Sequence, residues 1–78
     1  MDAYIGTIVA WAGTWIPKDW MPCDGRELLI SQYAALFAII GTRFGSKGFQ
    51  TFALPNFKHP DTPIQYIICV NGIFPPQN

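Results

Sequence analysis

Charge is scarce in this 78-residue chain. Five acidic and five basic residues make up 13% of it and cancel to zero net charge, against about 25% charged residues in an ordinary soluble domain. A phosphate-neutralising surface needs clustered Lys and Arg, so the composition argues against nucleic acid as a partner. Cysteine is scarce as well. Cys23 and Cys69 allow at most one bridge, which excludes a disulfide-built scaffold. Both are expected to be reduced, small buried hydrophobes, with a Cys23–Cys69 bridge as the lesser alternative. Long apolar runs are missing too. The charge-free stretch 28–42 is interrupted by Ser31 and Gln32 and falls short of the ~20 apolar residues a membrane helix needs, so no membrane span is expected. Met1-Asp2 opens without a basic segment, so no signal peptide is expected either, and the chain reads as soluble and made in the cytoplasm.

These shortages also limit chemistry. His59 is the sole histidine and precedes Pro60 in a polar loop. A cysteine nucleophile needs a histidine base oriented by a third group, and no local pattern supplies one. Cys23, His59 and Cys69 lack the close paired spacing that fixes two metal ligands on one turn. The carboxylates are Asp2, Asp19, Asp24, Glu27 and Asp61. Asp24 and Glu27 are close in sequence, but both are expected in one hairpin, which implies no cleft. The loop Gly41-Thr42-Arg43-Phe44-Gly45-Ser46-Lys47-Gly48 has glycines, a serine and a lysine, but not the spacing of a phosphate-binding loop, and it follows a helix where such a loop opens one. The expectation is a non-enzymatic chain with no cofactor and no metal.

Apolar material is plentiful: half of the residues are hydrophobic, with three tryptophans and six phenylalanines. A chain this short buries only roughly 60% of the surface its unfolded form exposes. Tyr4 to Ala12 reads as a strand apolar on both faces, Ile5, Thr7, Val9 and Trp11 on one and Ile8, Ala10 and Ala12 on the other. Asp24-Gly25 is a two-residue hairpin signal that should join two short strands. Ser31 is placed to cap a helix from Gln32 to Ile40, and Gly41 to stop it in the left-handed conformation. Tyr33, Leu36, Phe37 and Ile40 form the core-facing stripe, while Ala34, Ala35, Ala38 and Ile39 make the other side apolar too. A helix apolar all round is buried all round, and 78 residues hardly suffice to surround one, so subunit contacts are expected. Phe49 to Leu54 reads as a strand closed by Pro55. Asn56 to Pro63 is a loop, Ile64 to Val70 a second two-sided apolar strand, and Asn71-Gly72 a turn.

Four segments in order carry a resemblance: Trp20-Met21-Pro22-Cys23-Asp24-Gly25, then Tyr33-Ala34-Ala35-Leu36-Phe37-Ala38-Ile39-Ile40-Gly41, then Phe44-Gly45, then Thr51-Phe52-Ala53-Leu54-Pro55-Asn56. With them, Gly13 to Lys58 resembles the phage tail collar domain, most closely its compact branch known as microcystin-dependent-protein-like. Tyr4-Ile5-Gly6 is similar to the family's opening strand, and Tyr66-Ile67-Ile68 to Pro75 to the end of longer members. The resemblance implies a virion tail or phage-like particle, homo-oligomers that are commonly trimers, other tail or baseplate proteins as partners, and receptor attachment. Longer members follow Leu-Pro-Asp with an Arg-Gly run and a long Gly/Thr/His-rich segment. Here Pro55 leads within a few residues to Ile64, which favours a connecting, capping or assembly role over an adhesin.

The chain is thus expected to be one α+β domain over residues 1–78, with several short strands, one helix over about 32–40 and long loops. Its expected mode of action is homo-oligomeric packing, with Leu36, Ile39 and Phe74 at the interface. The alternative is a small module binding a carbohydrate, such as a cell-surface glycan, or another ligand through Trp15 and Trp20 in a surface groove.

Overall fold

The computed structural model describes residues 3–57 and 63–76. In chain order the elements are β1 (Ile8–Trp11), β2 (Trp20–Pro22), β3 (Glu27–Leu29), α1 (Ala34–Ile40), β4 (Thr51–Ala53) and β5 (Gln65–Cys69). The α+β expectation holds: five short strands form two sheets beside one seven-residue helix. Most of the expected 56–63 loop, with His59 and Asp61, lies outside the described residues, as does Asp2.

The larger sheet has the order β1-β5-β2 and is antiparallel throughout. The last strand is therefore the central one. Ile68 pairs with Ile8 on one side and Met21 on the other, and Ile67 pairs with Val9 and Pro22. Successive residues of a strand point to opposite faces, which explains why β5 is apolar at every position from Tyr66 to Cys69. Ile68 belongs to a cluster with Leu28, Leu36, Phe52 and Leu54 under the helix and the β3–β4 ribbon. Ile67 and Cys69 pack on the opposite face with Trp20, covered by Val9, Trp11 and Ile16. The two cysteines are free and sit in these two different clusters, so the alternative of a bridge between them falls.

The expectation for Tyr4–Ala12 needs correction. Thr7 N–H turns back to the Tyr4 carbonyl at 3.1 Å. Gly6 N–H donates to the Cys69 carbonyl while Cys69 N–H donates to that of Thr7, both at 2.9 Å, so two residues oppose one in a bulge. The regular strand starts only at Ile8, and one of its faces stays open: Ile8 and Ala10 are exposed while Val9 and Trp11 are half-buried.

Asp24-Gly25 joins no hairpin: Asp24 is bridged antiparallel to Asn56, with Gly25 N–H donating to the Pro55 carbonyl at 3.1 Å. The strands that flank it pair elsewhere, β2 with β5 and β3 with β4, so this segment hands the chain from one sheet to the other. Gly25 has φ 82° and Asp24 does not share the positive φ. The Asp24 carboxylate instead accepts the Arg26 backbone N–H at 3.2 Å, a local turn that aspartate forms readily.

The helix begins at Ala34 rather than Gln32, and Ser31 does not cap it. Its N-cap is Tyr33, with no side-chain hydrogen bond. Gln32 and Tyr33 N–H both turn back to the Leu29 carbonyl, so Ser31 lies inside a tight turn leaving β3. Seven residues are too few for a helix to persist unaided. Packing supports it: Leu36 is fully buried, and Tyr33, Phe37, Ile39 and Ile40 are half-buried against the first cluster. Gly41 N–H closes the last turn on the Phe37 carbonyl at 2.7 Å. Its φ is positive as expected, at 56°, but ψ is −142°, outside the left-handed helical region and in one that side chains exclude.

Candidate association surface

The turn between the sheets and the loop after the helix are braced by two acidic residues. Arg26 forms an exposed ion pair with Asp24 at 2.9 Å, and its hydrogen bond holds the Asp24 carboxyl below the usual carboxylate range. Glu27, on β3, accepts the Thr51 hydroxyl at 2.8 Å and the Lys47 N–H at 3.1 Å. Ser46 donates to the carbonyls of Gly48 and Thr51. The 42–50 loop is thus tied to β3 and β4, and both carboxylates are engaged in holding backbone. Burial, helped by the Asp24 charge, pushes the Cys23 thiol up to about 11, so it is not a thiolate nucleophile at neutral pH. Among the described residues no three of His, Cys, Asp and Glu are grouped to hold a metal ion.

The five residues singled out from the sequence are not brought together. Leu36 is 0% exposed and has no surface to offer a partner, because it fills the core beneath the helix. Ile39 is half-buried, its Cγ2 filling the space beside Gly6, where an added Cβ would lie 3.1 Å away. Phe74 is 45% exposed and follows Ile73, which is bridged to Tyr4. Trp15 is exposed, packs edge-on against Trp11 and accepts the Trp11 indole N–H through its carbonyl at 2.7 Å. Trp20 is buried in the second cluster, so it cannot stack on a sugar from a surface groove. An open hollow of about 570 Å³ lies beside the 42–50 loop, lined among others by Ile30, Phe37, Thr42 and Phe49; neither tryptophan lines it.

Sequence reasoning missed most of the large exposed apolar side chains. Phe49 is fully exposed on the loop, and Tyr4 and Ile73 are half-exposed as neighbours. The backbone around them is stitched: Ile5 N–H donates to the Ile73 carbonyl, and Ile73 N–H to that of Ala3. Tyr4 and Ile73 thus form an exposed apolar pair on the seam between the two end segments, and Phe74 adds a further exposed ring one residue on. The signal available was the parity of Tyr4 against Ile5: Ile5 is buried, so its neighbour must point out.

The two edges of the larger sheet also differ. Thr7, Val9 and Trp11 direct their backbone groups to β5, by alternation from the Thr7–Cys69 bond. Ile8 and Ala10 direct theirs outward, and among the described residues nothing accepts or donates there. On the β2 edge, Pro22 has no N–H, and Trp20 N–H is taken by the Pro17 carbonyl at 3.2 Å. The outward donors of the β2 edge are thus missing or taken by its own neighbours. The β1 edge carries neither a charge nor a proline to blunt it.

A family model described as Phage Tail Collar Domain matches residues 6–60, more than two thirds of the chain, from the β1 bulge past β4. No curated protein matches the chain.

Proposed function

Because the chain belongs to the phage tail collar domain family, we propose that it is a non-enzymatic structural module of a phage tail or phage-like appendage, a collar, connector or cap that works by packing against copies of itself. The observations that carry this reading are the exposed side chains of Tyr4, Ile73 and Phe74 and the open β1 edge. Large apolar side chains clustered on a small surface favour burial against another chain, at about 25 cal/mol per Å², and unpaired strand backbone favours a strand partner. The interface expected from the sequence keeps Phe74, gains Tyr4 and Ile73, and loses Leu36 to the core. No helix among the described residues is long and apolar enough to cross a membrane, in keeping with a component of a tail.

The reading is tested by light scattering over a dilution series. Self-association that weakens on Phe74→Ser supports it; a monomer at every concentration sinks it. A trimer is the order that the family resemblance implies, and the same measurement gives the order directly.

A further inference from the structure

Asn71 and Gly72 leave the end of β5 in an exposed bend that neither the core nor the association surface uses. Gly72 has no side chain to shield its nitrogen, and among the described residues its N–H has no hydrogen-bond acceptor. The Asn71 carboxamide reaches only Asp19 Oδ1, at 3.5 Å, the outer limit of a hydrogen bond. The attacking nitrogen and the target carboxamide are thus exposed, the nitrogen without an acceptor among the described residues and the carboxamide held by one long hydrogen bond. The backbone on either side is pinned through Val70 and Ile73.

We infer that Asn71–Gly72 is a self-modification site, at which the chain deamidates in water and loosens the seam between its two ends. The Gly72 nitrogen, deprotonated by base in the solvent, attacks Asn71 Cγ. The new N–Cγ bond closes a succinimide, the Cγ–Nδ2 bond breaks, and ammonia leaves with a proton taken from water. A water molecule then opens the ring at either carbonyl and leaves aspartate or isoaspartate at position 71. Nothing is oxidised or reduced, and water is the sole co-reactant.

Asn56 is the internal control. The next nitrogen, that of Phe57, donates to the Cys23 carbonyl at 3.0 Å, so ring closure there must first break a hydrogen bond beside a bulky ring. That bond alone should slow it about tenfold.

The fold gives the product a consequence. A carboxylate at position 71 faces the Asp19 carboxylate. The Asp19 carbonyl holds Val70 N–H at 2.9 Å, joining β5 to the entry of β2. On the other side, Ile73 N–H donates to the Ala3 carbonyl at 3.0 Å, and isoaspartate, which routes the chain through the Cβ of residue 71, lengthens the backbone just before that bond. Aspartate sets two like charges side by side, and isoaspartate shifts the register of the seam that pairs Ala3 and Ile5 with Ile73.

The experiment incubates the full chain at mildly alkaline pH and maps its peptides by mass. Conversion, a gain of one mass unit, should run about tenfold or more faster at Asn71 than at Asn56. If Asn71 stays intact in the folded chain while it converts in urea, the fold shields the turn and the site is overturned. Asn71→Asp should lower the urea midpoint, and adding Asp19→Asn should restore it. An Asn71→Asp midpoint equal to that of the parent chain would overturn the loosening.

Discussion

Strand β5 and helix α1 look alike as strings of residues and end differently in space. Both are apolar at nearly every position, and both are read from the sequence as covered on all sides. β5 is covered: Ile67 and Ile68 have no exposed surface, because β1 and β2 flank the strand and a hydrophobic cluster lies on each face. α1 is covered on one side only. Leu36 is buried and Phe37, Ile39 and Ile40 half-buried, while Ala34, Ala35 and Ala38 face solvent. The difference lies in side-chain size. An exposed alanine methyl leaves little apolar area in water, so a helix can afford an alanine face, whereas a strand with isoleucines on both sides cannot leave either open. "Apolar all round" therefore argues for burial only where the residues are large.

The sharpest way to break the comparison is at its covered member. Ile68 touches the helix-side cluster and has no exposed surface. Ile68→Ala should remove about 2–5 kcal/mol by lost transfer energy and the cavity left behind. That rivals the ~3–5 kcal/mol a single core of this size supplies. Circular dichroism should show a largely unfolded chain; a cooperative transition near the parent midpoint would show that β5 is not the element on which the core depends.

The same cluster holds Cys23, whose thiol is pushed from the ordinary 9.0 to about 11 by burial and then by the Asp24 charge. The folded state prefers the neutral thiol. Its contribution is fully present below about pH 9, where the unfolded thiol also keeps its proton, and is lost as pH rises through about 11. Each unit of separation corresponds to about 1.4 kcal/mol. Urea midpoints should fall over that window, and Cys23→Ala should remove most of the fall. A slope unchanged in Cys23→Ala would place the titrating group elsewhere.

How much of this was legible in advance follows the same physics. β5 was readable because isoleucines on both faces leave one solution, a central strand. The helix stripe was readable from its spacing, and Phe74, expected at an interface, is exposed. The Asp24-Gly25 hairpin was misread because local turn chemistry specifies the bend, and the partners of the flanking strands are specified by residues far along the chain. Ser31 was misread because a cap and a turn use the same hydroxyl-bearing residues, and the Leu29 carbonyl had already drawn the chain into a turn. Trp20 and Trp15 could not be told apart by type. Parity along β2 and contact with Ile67 decide that one is core and the other surface.

Gly41 tests where the helix-side coverage ends. Its φ of 56° with ψ of −142° suits a residue without a side chain, although an added Cβ would meet nothing within 4 Å. Gly41→Ala should therefore cost about 1–3 kcal/mol through backbone strain alone. The cost should be close to that of Gly41→Leu, which adds bulk without a second branch at Cβ, since the surrounding space is empty. A much larger loss for leucine would mean that the residue is packed rather than strained.

The smallest expected effect bears on the uncovered side of the helix. Ala38→Glu changes a solvent-facing position with no partner to lose, so the folding midpoint should move by no more than about 0.5 kcal/mol. If association runs through Tyr4, Ile73, Phe74 and the β1 edge, the variant should also keep the parent's oligomer order. Phe74→Ser, by contrast, should weaken the oligomer without a comparable loss of monomer stability. Dissociation by Ala38→Glu alone would move the seam to the helix and return the alanine face to the role its sequence suggested. Closely approaching helices favour small side chains, and there a charge has nowhere to go. Alanines that merely leave little apolar surface in water tolerate the charge, whereas alanines that admit a second copy do not.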